Sequence, residues 1–267
     1  MIKKNNDKKY ILVWDLDETL FNTSGNNLYP RPYAKEVITQ LGNNFHQVVF
    51  TAATKSYADE MLKKMGIYDK FIKLFYRSSM TGGGRYKDLK TVTRELISDK
   101  IKYKLQEGKL KKRAIDILSI DNKLLMGANK VSLDKIILID NLNENLVENQ
   151  KMNGIIIKDF YGNKKDENGK LIGSKDNALL MIKEFLLHMY NVKPKKVQDY
   201  LQDNLFIIDK CIKNTPITGK SIIKNVENEK IIIKKKQKGA KKNSIKKKYI
   251  KKNSIKKTQK EVKNSKK

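Results

Sequence analysis

Two aspartates separated by one residue, Asp15-Leu16-Asp17, directly follow the apolar run Tyr10-Ile11-Leu12-Val13-Trp14. A short apolar run that stops at an acid predicts a strand buried on both faces. Both carboxylates then leave the sheet at its carboxyl edge while Leu16 turns back into packing. Held about 4 Å apart at an effective dielectric near 20, two like charges repel by about 4 kcal/mol, so the pair needs a cation or a shared proton. A hard divalent ion meets that need, and magnesium suits a site with one or two carboxylates, retained waters and a substrate phosphate. The pair also offers the two roles that phosphoryl transfer through an aspartyl phosphate requires. Asp15 is placed to attack in line. Asp17 is placed to protonate the leaving oxygen and then to take a proton from the water that hydrolyses the intermediate. The phosphoryl oxygens must be held while charge moves across them. The Thr51 hydroxyl and the Lys87 ammonium are candidates for that task, and Asp140 and Asn141 for completing the metal site.

These residues need elements to position them. Gln47 to Thr51 and Lys135 to Asp140 repeat the pattern of an apolar, β-rich run ending in a polar residue, and Gly154 to Ile157 is a weaker fourth strand. Helical spacing marks Tyr33 to Leu41, Lys55 to Met65 and Asn177 to Tyr190, the second opening at Thr54 as a candidate N-cap. Strands alternating with helices predict an α/β fold, a Rossmann-like parallel sheet with helices on both faces. Ligands in such sheets bind beyond the carboxyl ends of the strands, where Asp15, Thr51 and Asp140 converge. The charged stretch Thr91 to Asn129 reads as a helical insertion over the site. Gly162 to Gly173 reads as a polar loop and Pro194 to Ile208 as one more amphipathic helix. The expected plan is a flexible N-terminus (1–8), a catalytic domain (9–190) with its insertion at about 91–129, a helical extension (191–214) and a disordered lysine-rich tail (215–267).

Four segments in this order, Asp15–Leu20 (DLDETL), Val49–Ala52 (VFTA), Tyr86–Leu89 (YKDL) and Ile139–Asn141 (IDN), resemble the four motifs of the haloacid dehalogenase superfamily in its FCP/SCP homology version. Arg31-Pro32, Ser56-Tyr57-Ala58-Asp59 and Phe75-Tyr76-Arg77 extend the likeness, which runs from about Lys9 to Tyr190. That family dephosphorylates serines in the carboxy-terminal domain of the largest subunit of RNA polymerase II. The resemblance implies that Asp15 is the nucleophile, Asp17 the acid/base, Thr51 the phosphate-holding hydroxyl and Lys87 the group neutralising phosphate and nucleophile. It implies magnesium held by the Asp15 carboxylate, the Asp17 main-chain carbonyl and Asn141, with Asp140 on a metal-bound water and Thr19 bracing the first loop on the substrate side. Arg77 is a candidate contact for a substrate phosphate or main chain, or a structural ion pair. Where the family continues Ser-Pro after its fourth motif, this chain has Leu142-Asn143. Its helical insertion is longer than that of the small members.

The formal charge is +29, and from Lys234 to Lys267 seventeen lysines face one acid, Glu261, a net of +16 that leaves +13 for the rest. The Lys-Lys-Asn-Ser-Ile-Lys-Lys repeat at 241–247 and 251–257 is too polar to bury a core. A solvated, disordered tail is the plain reading. A nuclear-localisation signal or an arm for non-specific nucleic-acid binding through 234–267 competes with it, and Ser244 and Ser254 are candidate phosphorylation points. The single cysteine, Cys211, excludes an intrachain disulfide. With no run approaching the roughly twenty apolar residues that span a bilayer, the expectation is an intracellular protein, nuclear or cytoplasmic, neither secreted nor membrane-bound. His46 and His188 read as surface or boundary residues, Trp14 as core, and Thr81-Gly82-Gly83-Gly84 as a flexible loop. The function expected is a magnesium-dependent phosphoserine/phosphothreonine phosphatase. A nucleic-acid-end phosphatase docked by the tail and a non-catalytic phosphatase-like scaffold are the alternatives.

Overall fold

The computed structural model describes residues 10–105, 111–126, 131–162, 165, 167–169, 173 and 176–204. Strand β1 (Ile11–Trp14) is followed by a hairpin of β2 (Phe21–Ser24) and β3 (Asn27–Pro30), then α1 (Ala34–Leu41), β4 (His46–Phe50), α2 (Lys55–Lys64) and β5 (Lys73–Phe75). Three helices, α3 (Leu89–Lys104), α4 (Lys112–Leu118) and α5 (Asn122–Leu125), precede β6 (Ile136–Asp140) and β7 (Gly154–Ile156), and α6 (Ala178–Val192) follows. The main sheet has the order β5-β4-β1-β6-β7, with every neighbouring pair parallel. This is the Rossmann-like α/β sheet that the alternating runs predict. The chain moves outward from β1 to β4 and β5, then returns to β6 on the other side, so the strand order reverses beside β1, where such sheets open their ligand crevice.

Successive side chains of a strand point to opposite faces, and both faces of this sheet are covered. Leu12 and Trp14 pack with Val37, Ile38, Leu62, Phe185, Leu186 and Leu201, that is, with α1, α2, α6 and the helical residues 197–204. Ile11 and Val13 pack with Leu89, Val92, Leu96, Ile117 and Leu125 of α3, α4 and α5. Double coverage is why β1 reads as an unbroken apolar run. Trp14 is fully buried, and its indole N–H donates to Gln47 Oε1 at 3.0 Å while Gln47 Nε2 donates to the Ile38 carbonyl at 2.8 Å. The polar atoms of this pair are thereby satisfied inside the core.

Several expectations are revised. The stretch expected over the site is helical in its described parts, but it starts at Leu89 and its apolar side chains close the second face of the sheet. The spacing of Leu89, Val92 and Leu96 puts one stripe of α3 against Ile11 and Val13. Strand β5 and the β2–β3 hairpin are additions. Both are too short, and the hairpin too polar, to leave a periodic signal. His46 is buried at 2% exposure at the start of β4. Thr54 stands at the N-cap of α2 but makes no capping hydrogen bond. Thr81–Gly84 is a turn closed by a Thr81–Tyr86 bridge, with Gly82, Gly83 and Gly84 all at positive φ, where a side chain would be strained. The 1–8 segment, the 215–267 tail and half of Gly162–Gly173 lie outside the described residues. No helix among the described residues is long and apolar enough to cross a membrane.

One buried arginine ties the hairpin to the far side of the sheet. Arg31 is 1% exposed and donates through Nε and Nη2 to both carboxylate oxygens of Asp176, at 3.0 and 2.9 Å. It also donates to the carbonyls of Glu18, Thr19 and Lys158. Replacing it strands all of these acceptors. Arg31→Leu is expected to destabilise the fold by about 3 kcal/mol in urea unfolding; a loss no larger than the ~1 kcal/mol of a surface pair would show the hairpin anchored by other means.

Candidate active site

Parallel register places the candidate residues side by side. Trp14 pairs with Ile139, so Asp15 and Asp140, the next residues, stand together at the strand ends. The Asp15 amide donates to the Ile139 carbonyl at 3.0 Å, and that of Thr51 to Phe75 at 3.0 Å. Lys87 reaches the same point from a bridge with Leu146, its amide held by the Asn145 carbonyl at 2.6 Å.

The fully buried Lys87 ammonium donates to Asp15 Oδ1 at 2.5 Å and to Asp140 Oδ2 at 2.6 Å. Asp140 is completed by the Leu142 amide at 2.8 Å and the Asn145 side chain at 3.2 Å, both to Oδ1. Burial works to strip the charge from Lys87, but the attraction of Asp15 and Asp140 outweighs it and holds its pKa above the ordinary value. Burial pushes the Asp15 carboxyl up to about 7, with Lys87 opposing and Asp140 reinforcing the shift. One cation therefore serves two buried carboxylates, and the protein's own charges leave a negative excess.

The other oxygen of Asp15 points to the same deficit. The loop is closed by the Thr19, Leu20 and Phe21 amides on the Leu16 carbonyl, at 3.2, 2.8 and 3.3 Å, with Glu18 at a φ of 58°. Thr19 Oγ1 then lies 3.1 Å from Asp15 Oδ2 and 3.3 Å from Asn141 Oδ1. A hydroxyl has one hydrogen, so two converging oxygens share a single donor. The amide of Asn141 is oriented from behind, its Nδ2 donating to Asp159 Oδ1 at 3.0 Å and Glu18 Oε2 at 3.3 Å. Asp15, Asn141 and the Asp17 main-chain carbonyl offer oxygen donors alone, and among the described residues no grouping of three or more His, Cys, Asp and Glu exists to hold a metal. Any ion here would depend on few side chains, water and substrate, which is the coordination magnesium accepts.

Asp17 is held separately. Its Oδ1 accepts from the Tyr57 hydroxyl at 2.7 Å, and burial raises its pKa against that hydrogen bond. Thr51 is buried, and its Oγ1 accepts from the Ala53 amide at 3.1 Å, which leaves the hydroxyl hydrogen to donate. The exposed Arg77 lies against main chain, its Nε donating to the Ala52 carbonyl at 2.6 Å, and so supports the Thr51 loop from outside. The structure thus joins Asp15, Thr19, Lys87, Asp140 and Asn141 in one hydrogen-bonded group, with Asp17 and Thr51 beside it on their own supports. Tyr57 and Asp159 were not among the candidates. Tyr57 lay inside a segment that carries the resemblance, while Asp159 gave no signal beyond following the fourth strand.

A parallel sheet whose strand ends carry this arrangement defines a phosphatase of the haloacid dehalogenase type, a phosphoric monoester hydrolase. Residues 10–198 match the NLI interacting factor-like phosphatases, and the chain belongs to that family, the FCP/SCP branch of the superfamily. Among solved structures it is similar to Fcp1, an essential RNA polymerase II CTD phosphatase, at 11% identity and a TM-score of 0.39, covering 81% of this chain and 57% of that one. It is also similar to beryllium fluoride-bound fission yeast RNA polymerase II CTD phosphatase Fcp1, at 11% identity and 0.40, covering 89% and 67%. An uncharacterised protein from Listeria monocytogenes serotype 4b is similar at 16% identity and 0.33, covering 51% and 69%. No curated protein matches the chain.

Removing the shared ammonium leaves two buried carboxylates without their counter-ion. Lys87→Met is expected to lower stability by about 3–5 kcal/mol in urea unfolding at neutral pH; a change under ~1 kcal/mol would mean the carboxylates are solvated or compensated by other groups.

Proposed function

We propose that this chain is a magnesium-dependent phosphoserine/phosphothreonine protein phosphatase that works through an aspartyl phosphate on Asp15. The observation that carries the reading is the division of labour between two carboxylates. Asp15 is clamped by Lys87 and Thr19, while Asp17, two residues on, is held by Tyr57. A nucleophile must be ionised and immobile, and Lys87 favours that state of Asp15 by direct ion pairing. An acid must be able to carry a proton, and the burial of Asp17 favours its protonated form.

Asp15 forms a bond to phosphorus as the bond from phosphorus to the seryl or threonyl oxygen breaks, and the proton of Asp17 passes to that oxygen. Water then attacks the phosphoryl group, gives its proton to Asp17, and releases inorganic phosphate with Asp15 restored. Thr51 and Lys87 hold the phosphoryl oxygens through both transfers, and Arg77 would contact the substrate beside the Thr51 loop. Magnesium, held by Asp15, Asn141 and the Asp17 carbonyl with Asp140 on its water, would supply the positive charge that the site lacks. The protein substrate, and a phosphorylated CTD-like repeat within it, are inferred from the family. We assign the catalytic unit to 9–190, with a nuclear or cytoplasmic address. The net +16 of residues 234–267 favours a second reading, a nucleic-acid-end phosphatase docked by its tail.

Hydrolysis of p-nitrophenyl phosphate, a phosphoserine peptide and a phosphorylated oligonucleotide, each with magnesium and with chelator, tests this. Activity on the peptide is expected to require magnesium and to fall at least about a thousandfold in Asp15→Asn, as when a covalent nucleophile is lost. Activity that survives either change excludes the mechanism. Salt-sensitive preference for the oligonucleotide selects the second reading, and a folded wild type inert on all three is a scaffold.

A further inference from the structure

The two carboxylates of the site differ in what holds them, and the support of Asp17 extends into the hairpin. Tyr57, in the first turn of α2, donates to Asp17 Oδ1 at 2.7 Å, and its oxygen lies 3.2 Å from Thr23 Oγ1 on β2. A phenol has one hydrogen. With that hydrogen on Asp17, the Thr23 hydroxyl must be the donor to Tyr57, and the three groups form a chain running in one direction from β2 through α2 to the loop after β1. The ring is seated independently of its hydroxyl, against Phe21 with centroids 6.4 Å apart.

This chain matters because Asp17 alternates between acid and base within one turnover. Tyr57 can donate to Oδ1 in both protonation states, so it stays in place while the proton comes and goes and leaves Oδ2 to carry it. A carboxyl free to turn would present its proton to the leaving oxygen only part of the time. A pinned one presents it always, and the geometry of the transfer is set before the substrate arrives.

We propose that Tyr57 is a positioning residue for the proton-transferring carboxylate of Asp17, and that Thr23 fixes Tyr57 in turn, so that the β2–β3 hairpin governs how well the enzyme expels a poor leaving group. The proposal rests on the phosphatase reading above. It needs no contact between Tyr57 and the reacting atoms.

The leaving group separates this role from a structural one. An alkoxide must be protonated as it departs, whereas p-nitrophenolate leaves without help. The value of kcat/KM reports formation of the aspartyl phosphate alone, so it is the quantity to compare across full-length wild type, Tyr57→Phe, Thr23→Val and Asp17→Asn. Tyr57→Phe keeps the ring packing and is expected to lose about tenfold more activity on a phosphoserine peptide than on p-nitrophenyl phosphate. Thr23→Val is expected to shift the same ratio in the same direction by about two- to threefold. Equal losses on both substrates, as a loosened fold would give, overturn the proposal, as does an undiminished rate on the peptide. If Asp17→Asn itself shows no such selectivity, the assignment of Asp17 as acid fails and the positioning role falls with it. Selectivity in Asp17→Asn without selectivity in Tyr57→Phe overturns the positioning role alone.

Discussion

A single buried ammonium shared by two carboxylates organises this molecule. Lys87 contacts Asp15 and Asp140, which lie 72 and 53 residues from it in sequence, and all three are almost completely removed from water. Burying such charges is expensive unless geometry and supporting hydrogen bonds are both good. The supports are present. Asp140 receives the Leu142 amide and the Asn145 side chain, Asp15 receives Thr19, and the amide of Lys87 is fixed by Asn145. The strand ends of β1 and β6 and the entry to α3 are brought together by this pairing, and Asp15 Oδ1 is held by it.

The charge count of that cluster explains its chemistry. Two carboxylates and one ammonium leave a formal excess of negative charge, and Thr19 divides its one hydrogen between Asp15 and Asn141. A cluster with such an excess favours a nearby cation. Asp17 stands outside this hydrogen-bonded cluster, on a neutral support of Tyr57 and Thr23, and meets it through charge: Lys87 draws the Asp17 pKa down, and Asp17 pushes that of Asp15 up.

The rest of the structure sets where these two groups stand. The register between β1 and β6 aligns Asp15 with Asp140, and Arg31 locks the loop carrying Glu18 and Thr19 to Asp176 at the start of α6. Helices α3 to α5 seal the face of the sheet bearing Ile11 and Val13. Lys87 is delivered immediately before α3, so packing of that helix also sets the depth of the ammonium.

The residue types at Asp15, Asp17, Thr51, Lys87, Asp140 and Asn141 were legible in the sequence, as were the three central strands that end at the site. An unbroken apolar run closing on an acid has few physical readings, because a strand covered on both faces can turn polar only at its end. Helices α1, α2 and α6 were legible for the same reason, since burial imposes a period on many residues at once. Tertiary structure alone decided the partners: that Lys87 bridges two carboxylates, that Tyr57 holds Asp17, that Asp159 orients Asn141, and that α3 to α5 cover the sheet. It also decided the three-residue strand β5 and the hairpin, which are stabilised by neighbours and not by a pattern of their own. A hydrogen bond between two side chains joins one residue to one other across a long stretch of chain, and so leaves no periodic trace in the sequence from which it could be read.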